Sequence, residues 1–262
     1  MMTRYACWLN GQGLSDLDES VCILDIAEAA PALRLQTAAL AGREGQAVTA
    51  RRRRQLTVTV TFEIRERDPH RRKAIADQAR AWARDGWLTV SDRPGQRLYV
   101  LCEALPSVSS ALRWTAPLTA VFTAYALPFW QAEHPARAEV SAQANTAASA
   151  ALAPVGTAPW CLMDCQVQNQ GGKALTSLTL ASGTGDVLTL SAPSLLAPGA
   201  TLSLTHDASG RLSITGPGGS LLHTRTAASA DDLTLMPGQT AHPSVTADQP
   251  VKATFLTRGL FL

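Results

Sequence analysis

Gln55-Leu56-Thr57-Val58-Thr59-Val60-Thr61-Phe62-Glu63-Ile64 alternates large apolar side chains with polar ones throughout its length. A period of two is the repeat of a β-strand, so Leu56, Val58, Val60, Phe62 and Ile64 are expected on a buried face and the threonines on the other. After Ile64 the period changes. Asp68-Pro69 pairs a helix N-cap with proline at the first helical position, and Ile75, Ala79 and Trp82 within His70 to Arg84 are spaced to share one helical face, with Gly86 as the stop. Beyond Gly86, Trp87 to Val90 and Arg97 to Leu105 read as strands about the turn Ser91-Asp92-Arg93-Pro94-Gly95, and Trp114 to Tyr125 as a further long strand. The first part of the chain is therefore a sheet carrying one helix.

The second half is a series of short strand signals separated by turns: Ser182 to Asp186, Pro198-Gly199, Asp207 to Gly210, Gly216 to Gly219 and Pro237-Gly238. Strands at that spacing predict a β-sandwich. Leu202 and Leu204 before the Asp207 turn, with Leu212 and Ile214 after it, predict a hairpin whose apolar residues share a face. Between the halves, Glu133 to Leu152 is rich in alanine and small polar residues and reads as a linker. The expected division is 1-132, linker 133-152 and 153-262. Charge and aromatic content agree with two domains: residues 1-132 hold 17 Lys/Arg against 13 Asp/Glu and residues 153-262 hold 5 against 6, while Trp8, Trp82, Trp87, Trp114 and Trp130 all precede Trp160. The fold class is mainly β.

Few kinds of chemistry find the residues they need. No Gly-x-Ser-x-Gly elbow occurs, and His70, His134, His206, His223 and His242 form no His-x-x-x-His pair. Cys161 and Cys165 have no second ligand pair at zinc-finger spacing. The Gly11-Gln12-Gly13 stretch lacks the rest of a phosphate loop and reads as a turn; Asp16, Asp18 and Glu19 lack the spacing of a calcium loop and read as a solvated segment. No catalytic, cofactor-binding or metal residue is assigned, and a non-enzymatic protein is expected. Five cysteines, an odd number scattered through 262 residues, read as buried reduced thiols. Trp82 and Trp114 sit at core periodicity and are expected to fill cores rather than stack on sugars. The start lacks the apolar run of a signal peptide and no stretch is long enough for a membrane span, so cytoplasmic synthesis without membrane insertion is expected.

The most unusual stretch is Arg51-Arg52-Arg53-Arg54, followed by Arg65, Arg67, Arg71, Arg72 and Lys73. A basic run can bind phosphates, but no aromatics are interleaved to stack bases, and a solvated loop or charged subunit contact is the better reading.

The order of these elements, a threonine-rich alternating strand, an arginine-rich helix with a tryptophan, Asp85-Gly86-Trp87-Leu88, and a Pro-Gly turn leading to Arg97-Leu98-Tyr99-Val100, resembles the phage distal tail proteins. The resemblance continues through Pro128-Phe129-Trp130, the Val155-Gly156-Thr157-Ala158-Pro159 entry, Leu233 to Thr240 and Thr257-Arg258-Gly259-Leu260. The chain departs from the family's pattern at Gln239, where asparagine is frequent, and in its longer alanine-rich linker.

The resemblance implies an N-terminal β-sandwich or barrel-like domain related to tail-tube proteins and a C-terminal galectin-like sandwich. It also implies a hexameric ring that joins the tail tube to the tip or baseplate in the virion tail, assembled in the bacterial host cytoplasm. Expected partners are further copies of the chain, tube, tip and receptor-binding proteins, with DNA passing only through the channel. Arg51, Arg52, Arg53 and Arg54 then lie near the ring surface, and three placements stay open: the channel, a neighbouring subunit, or solvent. The alternative function is a carbohydrate-binding module, although residues 161-262 hold only Phe255 and Phe261 as aromatic residues.

Overall fold

The alternating stretch forms β6 (Leu56–Ile64) in a computed structural model that describes residues 5–39, 44, 46–107 and 117–262. Leu56, Val58, Val60, Phe62 and Ile64 are all buried, while Thr57, Thr59 and Thr61 are half-exposed on the opposite face. Around β6 the first of two compact units, Met1–Trp130, is built. It contains β1 (Cys7–Leu9), β2 (Gln12–Gly13), β3 (Val21–Ala29), β4 (Leu33–Ala39), β5 (Gln46–Arg53), α1 (Pro69–Trp82), β7 (Gly86–Val90), β8 (Gln96–Ala104) and β9 (Leu118–Ala124). Its main sheet runs β2-β1-β7-β8-β9-β6-β3, antiparallel at each step. The short β10 (Trp130–Ala132) falls on the division between the units.

Local chemistry explains the joints. Asn10 and Gly11 both have positive φ, at 52° and 81°, and link β1 to β2 as a two-residue turn; of the turn expected at Gly11-Gln12-Gly13 only Gly11 belongs to it, because Gln12 and Gly13 pair with Leu9 and Trp8 as β2. The Asp68 carboxylate accepts from His70 N at 2.9 Å and caps α1, with Pro69 at its first position. Ile75, Ala79 and Trp82 are buried, as their spacing requires. Asp68→Ala removes the cap and is expected to cost about 1 kcal/mol, read as a lower urea midpoint of the first unit. The helix stops earlier than Gly86: Ala83 already turns extended, and Gly86, at φ 151°, opens β7 instead. A Cβ there would lie 2.1 Å from Asn10 Oδ1, which accepts from Trp87 N at 2.9 Å. The expected strand from Trp114 begins, among the described residues, at Leu118; Trp114 itself lies outside them.

The second unit, Gln131–Leu262, is an antiparallel sandwich. One sheet orders β11 (Ala136–Ala142), β21 (Val251–Thr257), β13 (Cys161–Asn169), β16 (Thr201–His206), β17 (Leu212–Gly216) and β18 (Gly219–Ser220), with β19 (Thr234–Leu235) also on β13. The other orders β12 (Ala148–Ser149), β20 (Ser244–Ala247), β14 (Leu175–Ala181) and β15 (Val187–Leu196). A 3-10 turn at Leu222–Thr224 and β22 (Leu260–Phe261) complete the elements. The predicted hairpin is β16–β17, with Leu204 opposite Ile214 and both fully buried.

Glu133 to Leu152, expected as a linker, is instead part of the sandwich. Ala136 to Ala142 pairs residue for residue with Thr257 to Val251, Ala148 and Ser149 pair with β20, and Leu152 bridges Ala241. The alternation Ala136, Ala138, Val140, Ala142 against Arg137, Glu139, Ser141 is a strand pattern written in small residues. The entry read at Val155 to Pro159 is held by backbone: Thr157 N and Ala158 N both donate to Leu260 O at 3.0 Å.

The cysteines carry no disulfide among the described residues: Cys7, Cys161 and Cys165 are buried and Cys22 and Cys102 half-buried. Burial pushes the Cys7 thiol up to about 12, and raises Cys165 further, which keeps both as unreactive thiols at neutral pH.

Candidate assembly surface

The four-arginine run sits on an arm. The β3–β6 ladder ends at Ala29 opposite Thr57, and pairing resumes at Leu33 opposite Arg53. Between them Pro31 lacks an N–H, and the ladder is carried across by Arg54 N donating to Ala32 O at 2.8 Å. Beyond that break β4 and β5, among the described residues, pair only with each other, and all of β4 is exposed. A two-stranded ribbon thus projects from the sheet by continuing the strands that build its edge.

Register splits the arginines. Arg53 faces Leu33 and Arg51 faces Leu35, so these four share one side of the ribbon with Val48, which lies opposite Thr37. Arg52 faces Arg34 on the other side, and Arg54 follows the end of β5. A bulge between Gln36 and Thr37 is pinned by Thr49 Oγ1 donating to Gln36 O at 3.1 Å. The run therefore offers two opposed basic faces, one of them mixed with aliphatic side chains. None of the ion pairs among the described residues uses Arg34 or Arg51 to Arg54.

The second basic group behaves differently. Arg65 pairs with Glu63, Arg71 bridges Asp18 and Glu66 at 3.2 Å each, and Arg72 Nη1 donates to Glu66 O at 2.6 Å. These side chains are spent on fixing the segment between β6 and α1. Asp18, read as part of a solvated loop, accepts from Ser20 N; that hydrogen bond, with Arg71 beside it, holds its carboxyl below the usual carboxylate range.

Trp82 is not a sugar platform: it is buried, donates from Nε1 to Gln12 O at 2.8 Å and meets Phe122 edge-on at 5.8 Å. Trp130, from the Pro128-Phe129-Trp130 close, is likewise buried and donates to Glu28 Oε2 at 3.0 Å.

Sequence spacing missed one polar cluster. His206 is almost wholly buried at the end of β16, with Nδ1 2.8 Å from Asp164 and Nε2 3.3 Å from Asp232. The three residues come from β13, β16 and the loop before β19, so only the fold brings them together. No serine, threonine or cysteine hydrogen-bonds to His206 among the described residues, and the cluster ties that loop to the sheet end. Clefts of about 470, 350 and 300 Å³ are lined respectively by Gln12, Asp16, Gln78, Trp82 and Arg84, by Ser15, Glu19, Ser20, Cys22 and Arg65, and by Asp207, Arg211, Ser213 and Ser220; no hydrogen bond of the described residues sets a serine or cysteine of these linings against a histidine. Among the described residues no cluster of three or more histidine, cysteine or acidic side chains could hold a metal ion, and no helix is long and apolar enough to cross a membrane.

No family model matches the sequence, and no curated protein matches it. Solved structures do. The Dit (gp 19.1) protein of phage SPP1, described as a paradigm of the hub adsorption apparatus in phages infecting Gram-positive bacteria, superposes with a TM-score of 0.68 at 14% identity, covering 98% of this chain and 99% of that one. A chain of the phage P2 baseplate in its activated conformation with Ca gives a TM-score of 0.52 at 9% identity, covering 99% and 98%. The superposition runs over nearly the full length of both chains, through both compact units of this one: the chain has the fold of a phage Dit hub protein.

Proposed function

We propose that the chain is a structural, non-enzymatic hub of a phage tail. In this reading six copies form a ring that joins the tail tube to the tip or baseplate, with the first unit closing the ring and the second presenting a galectin-like sandwich as a docking platform for tip and receptor-binding proteins. DNA passes through the channel, and the ring is assembled in the host cytoplasm before joining the virion tail. The observation that carries the reading is the full-length match to a hub protein, which spans both units rather than one common sandwich.

The surfaces agree with it. The second unit protects its own β15 edge, where Thr226 N donates to Thr189 O at 3.0 Å and Ala230 N to Val187 O at 2.7 Å. The first unit instead projects a ribbon that pairs with no further strand among the described residues, which suits a subunit whose surfaces are completed by neighbours. A sugar-binding role finds less support, because Phe255 is fully buried and cannot stack on a ligand, which leaves the half-exposed Trp160 and Phe261 as the aromatic side chains of the second unit with any exposure.

Light scattering with negative-stain imaging of the purified protein tests the reading. Six times the mass of one chain, in rings with an open centre, is expected. A monomer at every protein and salt concentration, still monomeric with tube protein added, would remove the ring.

A further inference from the structure

We propose that His206 is a proton-operated latch: with a proton on each ring nitrogen it ties a strap, residues 225–232, over the edge of β15, and loss of one proton lets the strap open. The latch lies within the second unit and does not depend on ring formation.

The strap stands where a further strand would. β15 pairs with β14 on one side, and among the described residues no strand pairs with its other side. There the strap runs instead: Arg225 bridges Leu190, Thr226 N donates to Thr189 O at 3.0 Å, Thr189 N donates to Ser229 Oγ at 2.9 Å, and Ala230 N donates to Val187 O at 2.7 Å. The apolar side chains of the strap are alanines, with Ala227 and Ala228 exposed and Ala230 half-exposed. It buries little, so its closure depends on its polar anchors.

The anchor at its end is Asp232, 3.3 Å from His206 Nε2. On the other side of the ring Nδ1 lies 2.8 Å from Asp164 Oδ1, which also accepts from His206 N at 2.9 Å. Ionised carboxylates only accept, and a neutral imidazole carries one N–H, so the neutral ring serves one aspartate and turns a lone pair on the other. Only the protonated ring donates to both. The side chain is 4% exposed and has no room to turn away. Because the Asp164 contact is shorter and is reinforced by the backbone N–H, the single N–H of the neutral ring stays there and the strap loses its bond. Asp232 is 40% exposed, so water can take the proton and solvate the carboxylate as the strap lifts.

The other charged groups around the ring are engaged elsewhere. Arg225 and Asp231 pair within the strap at 2.5 Å, and Asp207, in the turn after β16, accepts from Ser209 and from Arg211 N. β17 places Leu212 opposite His206 and carries no charged side chain. The sign follows: the bond to Asp232 belongs to the protonated state, so closure is favoured at lower pH and lost as the ring titrates, a change histidines make between about pH 5 and 8. Opening frees the carbonyls of Val187 and Thr189 and turns a covered sheet edge into one that can accept an added strand.

Hydrogen-exchange mass spectrometry of the full chain at about pH 5.5 and about pH 8, corrected for the intrinsic pH dependence of exchange, tests the latch. Peptides covering 225–232 are expected to open about tenfold more readily at the higher pH, the factor carried by one lost charge-assisted hydrogen bond, with 161–169 unchanged. Asp232→Asn keeps the size of the side chain, and its amide can accept from the protonated ring or donate to the neutral one, so equal protection of the strap at both pH values is expected. His223→Gln, in the exposed part of the 3-10 turn before the strap, is expected to keep the wild-type response. A strap indifferent to pH in the wild type, or a pH response that survives Asp232→Asn, would overturn the latch. A response lost in His223→Gln would overturn it by assigning the titration to that histidine. Protection lost throughout the second unit in Asp232→Asn would do so by making Asp232 a determinant of folding.

Discussion

Phe122→Ala is expected to destabilise the first unit by about 3–5 kcal/mol, a large share of what holds a domain of this size folded. Phe122 is fully buried in β9, and its ring meets Trp82 edge-on at 5.8 Å. It stands opposite Val58 of β6 and Cys102 of β8, at the centre of the sheet where α1 covers it. Truncation removes the ring's transfer free energy, leaves a cavity under the helix and strips Trp82 of its aromatic partner, and the three losses act at one place. Trp82 is anchored at its far end by Gln12 O, so it cannot swing freely to refill the space. Tryptophan fluorescence reads the effect selectively, since five of the six tryptophans precede residue 131. A fall in the urea midpoint of that signal is expected. A change below 1 kcal/mol would mean the helix collapses onto the sheet and would refute the packing described for this core.

What sequence reveals and what it hides depend on how local the cause is. β6, α1 and the β16–β17 hairpin are legible because each is set by a rule acting within a few residues: alternation of Leu56 to Ile64, the Asp68-Pro69 cap, the Asp207 to Gly210 turn. β11 was hidden because its inward side is alanine and valine, which give little apolar contrast even though the period is two. The arm is hidden in the same manner: Leu33, Leu35 and Thr37 alternate with Arg34 and Gln36, but the arginine run reads as a loop until register divides Arg51 and Arg53 from Arg52 on the return strand. Gly86 was misassigned because glycine serves helix ends and strand starts alike, and only Asn10, 76 residues earlier, decides which. His206 gives no local signal, since Asp164 and Asp232 lie 42 and 26 residues away.

The two units also differ in how their polar groups are used. In the second unit the polar groups are turned inward on one another: Asp248 accepts from the Thr176 hydroxyl and from Thr176 N, and Asp186 binds Thr234, so loops are tied to strands within the chain. In the first unit, among the described residues, Arg34, Arg51 to Arg54 and Asp25 form no ion pair. Under the proposed function, fixed loops suit the docking platform and surfaces left incomplete suit the ring-closing unit.

Asn169→Leu carries this contrast to its most demanding point. Asn169 ends β13 fully buried, and its side chain holds three separate pieces of backbone: Nδ2 donates to Lys173 O at 2.9 Å and Leu196 O at 3.0 Å, and Oδ1 accepts from Gly171 N at 2.9 Å. Leu196 belongs to β15 in the opposite sheet, so this amide joins the two layers of the sandwich. Leucine keeps the volume but leaves two carbonyls and one N–H without partners, and each such group costs about 1–3 kcal/mol when water cannot reach it. The expected loss is about 3–5 kcal/mol, below the plain sum because the turn after Asn169 can open to water. Hydrogen-exchange mass spectrometry separates it from the first unit: faster exchange is expected in peptides from 161–262 and unchanged protection in those from 46–107. Asn169→Asp supplies the control for chemistry over size. It retains the bond from Gly171 but aims a carboxylate at two carbonyl oxygens, so its penalty should ease on acidification, when a protonated carboxyl can donate to one of them. Protection of the second unit that is indifferent to both substitutions would show that the two sheets hold together without this amide.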